Sequence, residues 1–262
     1  MKILEKIKAH KLIEIQQRKQ IKSIEQLKLS ELYNRASIDF KTGILSKNNK
    51  AIIAEFKRQS PSKGVIHPDA DVISIVKGYE SNGAAALSIL NDNHFFGALE
   101  TDFANARASV NLPLLQKDFI LDEYQLVEAK AIGVDAILLI AKMLPVERIK
   151  VLANYAHQLG LQVLLETHTE QEILDHLHTE FDLIGINNRD LNTFEVNIQH
   201  SIALANLLPQ QAVKIAESGI QDANTLLELA NNGFSGFLMG EYFMKTANPA
   251  EQLKALQQEI RR

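Results

Sequence analysis

Residues 51–64 read AIIAEFKRQSPSKG, an apolar run that ends in charged residues and continues into a Ser-Pro-Ser-Lys-Gly loop. Residues 51–56 are typical of a buried strand, and side chains two positions apart share one face of a strand. Glu55 and Lys57 therefore point the same way, toward the space at the end of this strand. The same arrangement recurs along the chain, and it predicts an active site assembled from the ends of several strands.

Eight strand-like runs are separated by segments long enough for one loop and one helix each. The runs are Ala51–Phe56, Ala85–Leu90, Pro113–Lys117, Ala136–Ala141, Gln162–Glu166, Leu183–Asn187, Val213–Glu217 and Gly236–Gly240. This order predicts an α/β fold, a (β/α)8 TIM barrel over residues 51–262 with an N-terminal helical extension over 1–50. An open doubly wound sheet is the alternative, but its usual Gly-rich dinucleotide turn or P-loop does not follow the first run.

Composition narrows the class of protein further. The chain has 262 residues, and because α/β barrels typically use about 250 residues as one domain, we expect 1–262 to be a single domain. The net charge of −4 argues against nucleic acid as a partner. The apolar run at 136–141 is too short to cross a bilayer, and the N-terminus has no signal-peptide core, so no membrane partner is expected. The absence of cysteine excludes disulfides, thiolate metal sites and a Cys nucleophile, and suits a cytoplasmic protein.

The first helix carries an apolar stripe on a basic background. Its members are Ile3, Leu4, Ile7, Leu12 and Ile15. We expect this stripe to pack on the barrel, and binding to a membrane surface is the alternative.

In a parallel barrel the active site lies at the C-terminal ends of the strands. The residues there are Glu55, Lys57, Asn91, Asp92, Lys117, Asp118, Glu166, His168, Asn187, Arg189, Glu217, Ser218, Gly240 and Glu241. Burying an unpaired charge costs several kcal/mol, so these groups must pair with each other or with a ligand. Each has a purely structural interpretation, such as a rim ion pair for Glu55 and Lys57, but those interpretations would have to hold at five strand ends at once.

A separate signal indicates a phosphate. In such barrels a phosphate often binds backbone N–H groups after the seventh and eighth strands, near a helix N-terminus. Gly219 and Gly240 stand at those places, and glycine lets the backbone approach an anion closely. Ser60 could add a hydroxyl group from the first loop.

Two histidines invite the interpretation of a metal site. His176 and His178 are two residues apart, and such residues do not share a face of a helix. We therefore expect a solvated helix end and no metal, since no other zinc-ligand spacing occurs in the chain.

Eight segments of the chain resemble, in order, those of the indole-3-glycerol phosphate synthase family. They are AEFKRQSPSKG, LQKDFI, AILLIA, LLETHT, IGINNRDL, TFEV, AESGI and FLMGE. The resemblance spans nearly the whole chain and implies a (β/α)8 barrel with an extra N-terminal helical segment. It also implies a carboxy-lyase of tryptophan biosynthesis that acts on 1-(2-carboxyphenylamino)-1-deoxyribulose 5-phosphate. Such an enzyme closes the indole ring, releases carbon dioxide and then removes water, without a metal or organic cofactor.

The resemblance implies catalytic roles for six residues, namely Lys117, Glu166, Lys57, Glu55, Asn187 and Ser218. Lys117 aligns with the family's candidate general acid, which would activate the substrate carbonyl for attack by the aryl ring. Glu166 and Lys57 match the acid–base positions for the loss of water, and which group is the acid at each step stays open. Glu55 would pair with Lys57 and orient it.

The resemblance implies substrate binding at seven further positions, namely Arg189, Glu217, Phe119, Ser60, Gly219, Gly240 and Glu241. Arg189 and Glu217 would help to position the anthranilate carboxylate and the sugar hydroxyls. Ser60, the two glycines and the backbone of Glu241 would hold the phosphate. Phe119 and Leu138 would offer apolar walls to the aromatic ring, with ordinary core packing as the alternative.

Other functions stay open on the residues alone. Phosphoribosylanthranilate isomerase is another phosphate-binding barrel, but that family relies on a Cys base, which this chain lacks. A non-catalytic phosphosugar-binding barrel subunit is the alternative from a different class, and the intact charges at the strand ends argue against it. We expect a monomer, although nothing in the sequence decides the oligomeric state.

Overall fold

The structure is a computed structural model that describes residues 3–190 and 193–261. Its strands are β1 (Ala51–Phe56), β2 (Gln59–Ser60), β3 (Gly64–Val65), β4 (Ala86–Leu90), β5 (Leu114–Lys117), β6 (Ala136–Ile140), β7 (Gln162–Thr167), β8 (Leu183–Asn187), β9 (Lys214–Glu217) and β10 (Gly236–Met239). β2 and β3 form a small antiparallel ribbon, while the other eight strands run parallel and close into a barrel in chain order. The predicted (β/α)8 barrel is therefore confirmed.

Helices precede the barrel and alternate with its strands. They are α1 (Ile3–Ile21), α2 (Ile24–Lys28), α3 (Phe40–Leu45), α4 (Val72–Ser81), α5 (Asn93–Phe96), α6 (Asp102–Ser109), α7 (Glu123–Ala131), α8 (Val146–Gln158), α9 (Glu170–His176), α10 (Ile198–Ala205), α11 (Ala223–Asn231), α12 (Glu241–Met244) and α13 (Pro249–Glu259). A single turn of 3₁₀ helix, Ala141–Met143, follows β6. Within the described parts of the chain, no helix has the length and apolar character needed to span a membrane.

The strands alternate between two layers of core, as the period of two requires. In β1, Ile52 and Ala54 pack in the layer between the barrel and its helices, whereas Ala51 and Ile53 pack in the other layer, inside the barrel. Glu55 is in phase with Ala51 and Ile53, so it continues the row of inward-facing side chains. Alternation thus brings a carboxylate into the barrel at the end of an apolar strand.

The N-terminal helix α1 packs on the barrel through the predicted side, but one residue of the buried face differs from the prediction. Ile7 and Ile15 are buried as expected, whereas Leu12 is 46% exposed. Lys11 takes the buried position between them, because its ammonium group lies 2.7 Å from Asp92 and 3.0 Å from Asp118 at the ends of barrel strands. The inclusion of Leu12 in the stripe was therefore wrong, and a charged residue anchors this helix.

The β2–β3 ribbon was not predicted, and it shapes the first loop of the barrel. Arg58 holds the base of that loop, since its guanidinium pairs with Asp102 of α6 and donates to the carbonyl of Ala70 at 3.0 Å. Gly64 adopts a φ of 67°, which the tight turn of the ribbon requires. The ribbon carries Ser60 to the rim of the barrel.

Candidate active site

One cavity opens at the C-terminal end of the barrel. Thirteen predicted site residues line it, namely Glu55, Lys57, Ser60, Lys117, Phe119, Glu166, Asn187, Arg189, Glu217, Ser218, Gly219, Gly240 and Glu241. The geometry therefore brings together side chains that are up to 186 positions apart (from 55 to 241) in the sequence. Their individual roles in catalysis and binding stay predictions.

A charged layer forms the floor of this cavity. It consists of Glu55, Lys117, Glu166 and Glu217, which come from β1, β5, β7 and β9. These are alternate strands of the barrel, and layers of four side chains from alternate strands are how such barrels fill their interior. The position of each charged group thus follows from strand register, in the way that a core layer does.

Lys117 is the centre of that layer. Its Nζ donates to Oε2 of Glu166 at 2.9 Å and also to Oε2 of Glu217. The amide nitrogen of Asn187 donates to the second oxygen of Glu166 at 3.1 Å. Beside this group, Nζ of Lys57 lies 2.6 Å from Oε1 of Glu55. The result is two lysines held in fixed directions by buried carboxylates.

The environment keeps Lys117 charged. Burial alone would lower its pKa, but the negative charges of Glu166 and Glu217 outweigh burial and hold the pKa above its ordinary value. The side chain is therefore an ammonium ion, held in place by two carboxylates.

The pKa values of the two carboxylates beside Lys117 are shifted in opposite directions. Burial would raise the pKa of Glu166, yet the charge of Lys117, with help from His168, lowers it below the ordinary value. Burial raises the pKa of Glu217 to about 7, opposed by Lys117 and reinforced by the charge of Glu166. One lysine does not neutralise two buried carboxylates, and the pKa values of Glu166 and Glu217 are shifted apart.

Two glycines make room for the acidic side chains. A Cβ on Gly185 of β8 would lie 2.1 Å from Oε1 of Glu217, and a Cβ on Gly240 would lie 2.3 Å from Oε1 of Glu55. Any side chain at either position would displace a carboxylate of the charged layer. Gly240, predicted for its backbone contact with a phosphate, thus also determines where Glu55 lies.

The rim of the cavity includes the turn after β9 and two cationic side chains near Glu241. Gly219 and Ser218 both have positive φ values, 73° and 66°, which turn the backbone after β9 sharply. Glu241 lies 3.4 Å from the guanidinium of Arg189 and 3.6 Å from Nζ of Lys63, so two cations share one carboxylate here. Lys63 was not among the predicted site residues, and only its place in the Ser-Pro-Ser-Lys-Gly loop could have suggested it.

An apolar wall faces the charged floor. Phe119 and Leu138, predicted as possible walls, line the cavity together with Phe96, whose ring centroid is 6.0 Å from that of Phe119. Leu4 and Ile7 of α1 also line it. The sequence interpretation placed this helix on the barrel but missed its contribution to the cavity, although the apolar stripe was the available signal.

The histidines after β7 do not form a metal site. His178 is exposed, but His176 is buried and its Nδ1 lies 3.1 Å from the hydroxyl of Thr179, so the expected solvated helix end is wrong for His176. Across residues 3–190 and 193–261, no group of three or more His, Cys, Asp or Glu side chains is arranged to hold a metal ion.

A closed barrel with a layer of paired lysine and glutamate side chains at its strand ends defines a TIM-barrel protein with an enzyme-like site. Residues 4–256 match the family model described as indole-3-glycerol phosphate synthase. The chain belongs to the indole-3-glycerol phosphate synthase family.

Individual relatives agree with this assignment. The chain is 48% identical to an indole-3-glycerol phosphate synthase of Bacteroides thetaiotaomicron over 96% of both chains. It is 41% identical to one of Burkholderia cenocepacia over 96% of this chain and 97% of the relative. Among solved structures, a mutant tryptophan synthase alpha-subunit from Pyrococcus furiosus matches with a TM-score of 0.61 at 15% identity, covering 80% of this chain and 97% of that one. At that identity the likeness shows the fold alone.

Proposed function

We propose that this protein converts 1-(2-carboxyphenylamino)-1-deoxyribulose 5-phosphate into indole-3-glycerol phosphate, with release of carbon dioxide and water, in tryptophan biosynthesis. Membership of the family supports the reaction. The observation that carries it is the position of Lys117, a buried ammonium ion held between Glu166 and Glu217 in a cavity with one apolar wall and one cationic rim. That division suits a substrate with an aryl ring at one end and a phosphate at the other.

Ring closure requires an activated carbonyl. The aryl carbon attacks C2 of the sugar chain, which is a poor electrophile until its oxygen is protonated or held by a cation. We assign this task to Lys117, because two carboxylates fix its Nζ in one direction and sustain its charge. A fixed donor stabilises the developing oxyanion without reorganising during the reaction.

Loss of carbon dioxide and of water completes the reaction. The substrate's own ring takes up the electrons that the departing carboxylate leaves behind, so aromaticity returns without an electron-accepting cofactor. Removing the hydroxyl group and a ring proton then needs an acid and a base. We assign these tasks to Lys57, oriented by Glu55, and to Glu166, oriented by Asn187.

Binding of the substrate would use the two ends of the cavity. Phe119, Leu138 and Phe96 present apolar surface for the aryl ring. Arg189 and Ser218 would contact the substrate carboxylate and hydroxyl groups. The backbone around Gly219, Gly240 and Glu241, with the hydroxyl of Ser60, would take the phosphate.

We further propose that residues 1–262 form one cytoplasmic, monomeric domain. The anchoring of α1 through Lys11, Ile7 and Ile15 supports the single domain. Light scattering after size-exclusion chromatography tests the monomer, which a mass near twice 29.3 kDa would contradict.

Mixing the purified protein with the substrate tests the proposed reaction. Indole absorbance and fluorescence should appear with turnover. If the protein binds the substrate tightly and no indole forms, the alternative of a non-catalytic phosphosugar-binding barrel subunit is correct instead.

A further inference from the structure

His168 lies directly behind Glu166, at the point where β7 ends. Its side chain is buried, and it is outside the set of described residues that line the cavity. Nε2 of the ring is 3.4 Å from Oε1 of Glu166, while Nδ1 is 3.8 Å from Oε2 of Glu172 in the first turn of α9. The imidazole therefore sits between two carboxylates, one belonging to the site and one nearer the surface.

Both ring nitrogens of His168 are left without a hydrogen bond. Within residues 3–190 and 193–261, neither Nδ1 nor Nε2 has a partner at hydrogen-bonding geometry. Native proteins retain few buried polar groups in that condition without a functional reason. The separations of 3.4 Å to Glu166 and 3.8 Å to Glu172 are longer than hydrogen bonds. Catalytic hydrogen bonds are often this long without substrate and shorten when substrate binds.

The backbone N–H and C=O of His168 are hydrogen-bonded by groups other than its ring. The backbone N–H of His168 donates to Oε2 of Glu172 at 2.6 Å, and its carbonyl oxygen lies 3.2 Å from Nε2 of His200. The backbone is thus held by other groups. A purely structural role leaves the pairing of the imidazole with two carboxylates unexplained.

The proposed reaction also needs a supply of protons. The substrate enters as a carboxylate, and carbon dioxide and water leave, so each turnover takes up one proton from solution. Glu166 is almost completely buried and tied to Lys117, which limits its direct exchange with solvent. Glu172 keeps 17% of its side chain exposed and can exchange protons with water.

We propose that His168 is a positioning and proton-relay residue for Glu166, connecting it to solvent through Glu172. This inference rests on the proposed function. Glu172 takes a proton from water and passes it to Nδ1 of His168, while Nε2 passes its own proton to Oε1 of Glu166. One proton enters the imidazole and one leaves it, no electrons move, and a flip of the ring then turns the new N–H toward Glu166 for the next transfer.

The surrounding charges are consistent with such a path. Burial would raise the pKa of Glu172, but the hydrogen bond from the backbone N–H of His168, helped by the charges of His168 and Lys142, lowers it. The pKa of Glu166 is lowered against burial by Lys117 first and His168 second. Both carboxylates therefore favour the ionised form between transfers, which leaves each of them able to accept a proton from the ring or from solvent.

Steady-state kinetics of His168→Gln test the relay. We expect kcat to fall about 10- to 100-fold, the lower part of the range for positioned proton transfer, while KM stays within about twofold. In His168→Ala, added imidazole should restore part of kcat, which repacking of the fold alone would not do. His178→Gln is the matched control, because His178 is exposed in the same segment and should behave as the unchanged protein.

Glu172→Gln provides a second, independent test. Glutamine keeps an acceptor for the N–H of His168 but does not exchange protons, so kcat should fall by a similar factor, and the double variant should be no slower than either single one. If His168→Gln turns over normally, or if Glu172→Gln does, the relay is refuted. Unchanged protein that forms indole in the same assay separates that failure from a failure of the proposed function. If His168→Gln does not fold, the result with Glu172→Gln decides.

Discussion

Gly185 on β8 lies against Glu217 on β9, and a Cβ at position 185 would come within 2.1 Å of Oε1 of that carboxylate. The two residues lie on neighbouring parallel strands, in which Gly185 is in register with Ile215 and Glu217 is in register with Asn187. Because Gly185 has no side chain, the carboxylate of Glu217 has room to stay in contact with Lys117. The charged layer requires glycine at position 185 because a larger residue would displace Glu217.

Gly185→Ala should impair catalysis more than folding. The new methyl group pushes the carboxylate of Glu217 away from Nζ of Lys117, and a displacement of about 1 Å at a reacting group can cost on the order of 100-fold in rate. We expect kcat to fall by about that factor, measured by indole fluorescence. Gly185→Ala combined with Glu217→Asp, which shortens the acid, should recover part of the loss. No recovery, or a normal rate in the single variant, would show that the contact does not matter.

Ser60→Ala should mainly raise KM. Ser60 is carried to the rim by the β2–β3 ribbon, and its hydroxyl also accepts from the N–H of Lys63 at 3.2 Å. Loss of one hydrogen bond to a charged phosphate is worth about 1.5–3 kcal/mol, so KM should rise roughly 10- to 100-fold with kcat nearly constant. Ser62→Ala, on the same loop, is the comparison. A collapse of kcat at constant KM would mean that Ser60 is not a phosphate ligand.

Lys11→Met should weaken both stability and substrate binding. The substitution keeps the length of the side chain but leaves the buried carboxylates of Asp92 and Asp118 without their cation, which typically costs about 3–5 kcal/mol. Because Leu4 and Ile7 of the same helix line the cavity, KM should rise as well. Chemical denaturation and kinetics measure the two effects, with the exposed Lys6→Met as control. Equal stability of the two variants would contradict the anchoring role.

The pH dependence of stability should report the raised pKa of Glu217. Burial, opposed by Lys117 and reinforced by Glu166, raises the pKa of Glu217 to about 7 in the folded protein, against an ordinary value of 4.5. A raised carboxyl pKa contributes stability that is complete below the ordinary value and is lost as pH rises through the folded value. Relative to Glu217→Gln, unchanged protein should therefore lose unfolding free energy between about pH 5 and 8. A constant difference over that range would show that the pKa is not raised.

The barrel and most of its polar layer were predictable because both follow from the period of two in strands. Lys117 is in phase with Leu115, just as Glu166 is with Leu164, so alternation alone points these charges inward. The inward direction of the side chains at the strand ends could therefore be predicted from the sequence. The meeting of these charged side chains at one site could also be predicted, since parallel strands bring their C-terminal ends to one face of the barrel.

Contacts between distant, irregular segments were less predictable. The choice between Lys11 and Leu12 as the buried residue of α1 depends on Asp92 and Asp118, which are more than eighty positions away. The burial of His176 depends likewise on Thr179 and on how α9 ends. Helical periodicity favours apolar residues for the packed face, and it carries no information about a carboxylate that the fold brings there.

The most direct test of the central claim is the turnover of Lys117→Met, measured together with binding of the substrate by calorimetry. Turnover should fall by at least about 100-fold, as expected for loss of a general acid, while the substrate still binds with an affinity within about tenfold of the unchanged protein. Lys117→Met with near-normal turnover would contradict the assignment of Lys117 as the acid held between Glu166 and Glu217.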